Sequence, residues 1–385
     1  MNINKIIYIF FSFLIISCSS NNKKAEKYKE DLIAQTDTIF KEISQERINK
    51  KSKYVDRIFS RLYKKRLFNG TVLYAEQGQI IYKKAFGYSN FRKKEKLTTA
   101  SSFQLASVSK LFTAISIMQL KEKGIIDYDK DIRNYIKDFP YEGITVRLLL
   151  NHRSGLPRYM SLGDKYWNKK LPMSNQDMLD MFIKYHPKPY FKPDRMYNYI
   201  NTNYALLALI VEKTTKIPFD EYVKENIFEP LHMNNSIVYS KVKDPEIPNK
   251  VTGYIATKRR GYVIADNDWM NGIIGDKGVY SSVEDMFKLD RALFTDKLLK
   301  QSTLKEAIIP GGHHKKIRDN KMYYGFGMRI KSRGENKYVY HFGWWKGFRT
   351  YYIKNITNKR TIIVLCNRQK YFSSRILWKI INNKL

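Results

Sequence analysis

"FQLASVSKLFTAISIMQL", residues 103–120, sets a serine and a lysine three positions apart, Ser107 and Lys110, where a helix begins. A serine hydroxyl is a poor nucleophile until a base takes its proton. On a helix, residues three apart share a face, so the Lys110 amine can reach the Ser107 oxygen. Burial near other positive charge favours neutral lysine, the form that acts as a base. The first turn of a helix also presents unpaired N–H groups that can stabilise the oxyanion of acyl transfer. Alone, Ser-x-x-Lys also occurs where the serine caps a helix and the lysine is solvated. The run "LFTAISIMQL" is too apolar for a surface helix. It predicts a buried helix over residues 105–124, with its start inside the protein or on the floor of a cleft.

Upstream, Ile58, Phe59 and Leu62 recur at helical spacing, and Asn69-Gly70 ends that helix. "TVLYAEQGQIIYKKAFGY" then reads as two strands around a turn at Gln77-Gly78. Near the other end, "KYVYHFG", "FRTYYIKNI" and "RTIIVLCN" read as three strands, and "SSRILWKIINN" as a closing amphipathic helix. The middle reads as mostly helical, most clearly at residues 203–215. The fold class is therefore α+β: an antiparallel sheet built from N- and C-terminal strands and flanked by helices, with a mostly helical subdomain inserted over roughly residues 125–270.

The N-terminus, "MNINKIIYIFFSFLIISCSS", has one lysine, an apolar run from Ile6 to Ile16, and then Cys18. The run is too short for a stable spanning helix but fits the apolar region of a secretory signal. Cys18 at its end resembles a bacterial lipobox, in which the cysteine is lipidated and becomes the mature N-terminus. Residues 1–17 are thus read as a lipoprotein signal, 18–50 as a charged tether, and 51–385 as the functional domain. An acyl anchor would hold the protein on a bacterial envelope membrane, periplasmic or outer, rather than across it. Only Cys366 then remains, in an apolar strand, so no disulfide is available and the thiol reads as core filler. The chain carries 70 Lys plus Arg against 36 Asp plus Glu, formally +34. These charges are spread along its whole length, with no arginine-rich arm, which favours a solvated cationic surface over nucleic-acid binding.

"FQLASVSKLFTA" resembles the nucleophile region of class C serine β-lactamases and their relatives, the penicillin-binding D,D-peptidases, D-aminopeptidases and esterases. Other segments resemble the same family in the same order: "KAFGYSN", "LLLNHRSGLPRY", "FKPDRMYNYINTNYALLALIVE", "GDKGVYSSVEDMFKLDRAL" and "YHFGWWKGFRTYY". Together they span about residues 54–385. The resemblance implies catalytic roles for Ser107, Lys110 and Tyr199, the last in the motif Tyr199-Ile200-Asn201. Tyr197 and Tyr204 stand nearby, and only the resemblance selects Tyr199. A phenol whose pKa is lowered by cationic neighbours can relay protons to a leaving group. Asn201 would hold the substrate amide or orient Lys110; it also suits the cap of a helix starting near Thr202.

His341-Phe342-Gly343 stands where many relatives carry Lys-Thr-Gly. His341 and Gly343 face the same side of a strand, with the glycine admitting a close substrate backbone. Trp344 would supply a second oxyanion N–H. Histidine titrates near 6.5 when unperturbed, which predicts weaker, pH-sensitive recognition of a substrate carboxylate. Relatives with His-x-Gly are often esterases or D-aminopeptidases. Lys346 and Arg349 are candidate replacement cations. His152 and Ser154 lack a nucleophile elbow, and His313-His314 lacks a third ligand at metal spacing. No metal or organic cofactor is required. The expected function is hydrolysis of a small-molecule or peptide substrate through an acyl-enzyme on Ser107: a D-amino acid peptide, an ester or a β-lactam. The alternative is a non-catalytic or slowly acylated sensor of peptidoglycan or β-lactams. Oligomeric state is not readable.

Overall fold

The computed structural model describes residues 39–257, 261–312, 318–368 and 372–383. The predicted signal, Cys18 and the tether up to residue 38 lie outside the described residues, as does His313-His314. Residues from Ile43 onward form one compact unit.

Helix α1, Gln45–Lys64, begins inside the stretch read as tether. Ser44 caps it by accepting from the Arg47 N–H, and Glu46 complements the first turn. Its charge obscured this in the sequence. Lys51 is buried because Glu76 pairs with it at 3.6 Å, while Val55, Phe59 and Leu62 face the core.

Seven strands form one antiparallel sheet: β1 Gly70–Glu76, β2 Gln79–Phe86, β3 Met322–Tyr324, β4 Arg329–Arg333, β5 Asn336–Trp345, β6 Phe348–Asn355 and β7 Arg360–Cys366. Their order is β3-β4-β5-β6-β7-β1-β2, so the first and last strands are neighbours, as expected. Gln77 and Gly78 turn β1 into β2 with φ of 46° and 69°, the left-handed pair that a two-residue hairpin needs.

Alternation along β1 and β7 sorts side chains onto two faces. Val72, Tyr74, Ile362, Val364 and Cys366 pack under α1 and the closing helix Arg375–Asn382. Leu73, Ile363 and Leu365 face the larger, mostly helical body. There α2, Lys110–Glu122, packs on α3, Thr202–Thr215. Both are buried on nearly every side, which is why neither shows an amphipathic stripe. The helical reading of the middle missed a three-stranded sheet of Phe103–Gln104, Val279–Ser281 and Ile237–Val238, and a hairpin of Tyr254–Thr257 with Gly261–Ile264. Strands of two to four residues are too short to show a period. Among the described residues, no helix is long and apolar enough to cross a membrane.

Candidate active site

The predicted helix over residues 105–124 opens differently from expectation. Ala106–Ser109 form a 3-10 turn, and the α-helix starts only at Lys110. Ala106 sits at φ 51°, a left-handed conformation unusual for alanine. Neighbouring strands hold it there. Leu105 N–H donates to Val279 O at 2.8 Å, and Thr350 Oγ1 donates to Leu105 O at 2.7 Å. Val279 N–H donates to Ser109 Oγ at 3.1 Å. Behind the turn runs β5 at Gly343, where a Cβ would stand 2.3 Å from Leu105 O and 2.1 Å from Thr350 Oγ1. The turn that carries Ser107 thus by itself requires a glycine here.

Lys110 is fully buried. Its Nζ lies 3.5 Å from Ser107 Oγ, 2.9 Å from Asn201 Oδ1 and 2.7 Å from Asp276 O. Burial lowers its pKa to about 8, with Asp276 opposing and Arg329 reinforcing. Asn201 occupies the cap position of α3 but makes no side-chain cap bond, because its carboxamide oxygen serves Lys110. Of its two readings, the contact to the amine is realised.

Tyr199 lies with its ring 5.2 Å from Lys110 Nζ. Its hydroxyl is shielded from solvent and has no hydrogen-bond partner of ordinary geometry. Burial raises its pKa, with the Ser107 hydroxyl and Arg329 drawing it back. This reverses the expectation of a phenol acidified by cations: desolvation dominates. The ring is wedged against His152, centroids 4.3 Å apart, with Tyr324 at 5.9 Å beyond. His152 is buried at φ 57°; its Nδ1 accepts from the Ile200 N–H at 3.4 Å. Ser154 is engaged elsewhere, donating to Asn203 Oδ1 at 2.7 Å.

His341 is fully buried. Its Nδ1 faces Phe342 O at 3.0 Å and its Nε2 faces the Tyr324 hydroxyl at 3.1 Å. A carbonyl only accepts, so Nδ1 carries the proton and Nε2 receives Tyr324 O–H. Desolvation pushes the imidazole pKa well below its ordinary value, with Arg329 and Lys110 adding to the effect. The expected pH-sensitive cation is therefore a neutral structural group. Lys346 is paired with Asp268, and Arg349 stacks on Trp344 at 4.7 Å, so neither expected replacement cation is free. Trp344 is exposed and directly follows Gly343, beside the nucleophile turn.

The register explains how this site opens. β5 pairs with β4 only as far as Tyr340, whereas its pairing with β6 continues to Trp345. Among the described residues, His341–Trp345 therefore have no strand on the β4 side, which leaves an edge able to receive an extended chain. Sequence reasoning missed Asp276, Tyr324 and Arg329. "GDKG" resembled only a glycine-rich turn, and nothing local marks a backbone oxygen as a lysine partner.

The Beta-lactamase family profile matches residues 55–383. Penicillin-binding protein 4* of Bacillus subtilis is 37% identical over 83% of this chain and 72% of its own length. A D-aminopeptidase of Cereibacter sphaeroides is 23% identical over 76% of this chain and 55% of its own length. The crystal structure of a penicillin binding protein from Bacillus halodurans superposes with a TM-score of 0.73 at 25% identity, covering 83% of this chain and 97% of that one. With the profile spanning the whole sheet and both helices that carry the site, the chain belongs to the Beta-lactamase family.

Proposed function

We propose that Ser107 is the nucleophile of a two-step acyl transfer and that Lys110 is the base that activates it. The family is of the serine acyl-transfer type, and the protein is a hydrolase acting on an amide or ester through an acyl-enzyme. The observation carrying the assignment is the Lys110 amine, fully buried yet 3.5 Å from Ser107 Oγ, with its pKa lowered to about 8. Neutral Lys110 takes the Ser107 proton while the oxygen attacks the carbonyl. The Ser107 and Trp344 N–H groups hold the oxyanion. Tyr199, kept protonated by burial, donates to the leaving group and recovers a proton from the Lys110 ammonium, which restores the neutral amine. Water then cleaves the acyl-enzyme, with Lys110 taking its proton and passing it to the departing Ser107 oxygen. Asn201 fixes the amine, and the free edge of His341–Trp345 aligns an extended substrate.

The substrate class that fits is a D-amino acid peptide or amide. The names of the relatives support this, as does an edge suited to peptide backbone. We further place the protein at the bacterial cell envelope, held by lipid on Cys18. The test is purified wild type and Ser107→Ala with a fluorophosphonate probe, D-alanyl peptides, a p-nitrophenyl ester and a chromogenic cephalosporin. Labelling and turnover of the peptides are expected in wild type alone. Labelling that survives Ser107→Ala would reject the nucleophile.

Acylation should also depend on pH in one direction. The neutral amine is the active form, so the rate rises through pH 8 and, well below it, falls about tenfold per unit. A flat profile from pH 6 to 9 would refute Lys110 as base. Tyr199→Phe retains the ring packing on His152 and loses only the donor. It should slow turnover about a hundredfold, more for an amide with a poor leaving group than for a nitrophenyl ester.

A further inference from the structure

We infer that the buried Asp276–Lys277 pair is a positioning device for the catalytic amine: Asp276 holds Lys110 by its backbone, and Lys277 cancels the charge this brings beside it. The inference rests on Lys110 acting as the base proposed above.

Asp276 is fully buried and Lys277 nearly so. The Asp276 carbonyl accepts from Lys110 Nζ at 2.7 Å, the shortest of the three contacts of that amine. Its carboxylate is thereby brought close enough to act on the Lys110 charge. Tyr159 O–H donates to Asp276 Oδ2 at 2.9 Å. Lys277 Nζ donates to the Tyr159 oxygen at 2.8 Å and faces the two carboxylate oxygens at 3.3 Å and 3.4 Å. It also lies 5.0 Å from the Trp345 ring, at the end of β5. The dipeptide is pressed onto α3 through Gly275, φ 92°, where a Cβ would stand 2.5 Å from Tyr204 O. Thr113 Oγ1 donates to Gly275 O at 2.7 Å and fixes the loop to α2.

The consequence is electrostatic. A bare carboxylate beside Lys110 would stabilise the ammonium form and disable the base at neutral pH. Lys277 offsets that pull without touching Ser107. The other groups facing Lys110 do not supply an anion. Ser107, Asn201, Tyr199 and Tyr204 are neutral; His152 and His341 are held neutral by burial; Arg329 is cationic. The balance therefore lies between Asp276 on one side and the cations Arg329 and Lys277 on the other.

Opposite charges predict opposite shifts, which a merely structural role would not produce. The second-order rate of Ser107 labelling by a fluorophosphonate, followed from pH 6 to 10 on the full chain, reads the midpoint. Lys277→Met should move it up by about one pH unit or more, and Asp276→Asn should move it down. The double variant Asp276→Asn/Lys277→Met should return it close to wild type. Unchanged midpoints, or shifts of both single variants in the same direction, would overturn the inference. Should Lys277→Met show no cooperative melt, Asp276→Asn decides: a downward shift supports the inference and an unchanged midpoint rejects it. Wild type that never labels at Ser107 would instead overturn the base assignment and the inference with it. Normal labelling with unmoved midpoints overturns the inference alone.

Discussion

Lys110→Met is expected to lower the rate of Ser107 acylation by about a thousandfold or more while leaving the fold almost as stable as before. The two halves of this expectation have separate causes. Catalysis collapses because the amine that touches Ser107 Oγ is lost. Tyr199 stays protonated at working pH, since burial raises its pKa. Stability is a contest between two terms. A pKa of about 8 in the fold, against about 10.4 in the unfolded chain, means that protonated Lys110 costs on the order of 3 kcal/mol below pH 8. That cost fades as pH climbs towards the unfolded value, because the lysine is then neutral in both states. Methionine removes it and fills similar volume. Against this, Asp276 O and Asn201 Oδ1 lose their donor, at roughly 1–3 kcal/mol each. The two nearly cancel at neutral pH. Thermal melts with probe labelling on the same sample check both halves. A variant that labels at the wild-type rate would remove Lys110 from the mechanism.

Gly343→Ala should reduce acylation by about two orders of magnitude through the position of the nucleophile, with a stability loss of about 1–3 kcal/mol. The added methyl would meet Leu105 O at 2.3 Å and Thr350 Oγ1 at 2.1 Å. The first is the backbone that leads into Ala106 at φ 51°. It cannot recede without moving Ser107. Thr350→Ala removes the contact at 2.1 Å but not the one to Leu105 O at 2.3 Å, so adding it should not restore activity to Gly343→Ala. Rescue by that second change would show that the side chain, not the nucleophile turn, sets the requirement. The readouts are the labelling rate and the melting midpoint of both variants.

The layered architecture was legible because its signals are periodic or local. Gln77-Gly78 announced a hairpin, and the apolar run after Lys110 announced a buried helix. The ordered motifs pointed to Ser107, Lys110, Tyr199 and Asn201, and the fold gathers the other three around the Lys110 amine. What sequence could not convey was environment. His341 read as a group titrating near neutrality, whereas Tyr324, from another strand, encloses it and burial lowers its pKa. Tyr199 read as acidified until its hydroxyl proved dry. Asp276 contributes through a carbonyl that every residue owns, so only tertiary contact distinguishes it. Gln45–Lys50 read as tether because the partner that tames Lys51 lies on β1.

β1 is inserted between β2 and β7, and β6 braces the turn that presents Ser107. The turn around Ser107 can thus be completed only once residues 348–366 are in place, far along the chain from residue 107. Such non-local pairing slows folding and leaves the hairpin with a bare edge meanwhile. A chain truncated before β7 lacks the strand that pairs with β1 and is expected to leave that edge bare.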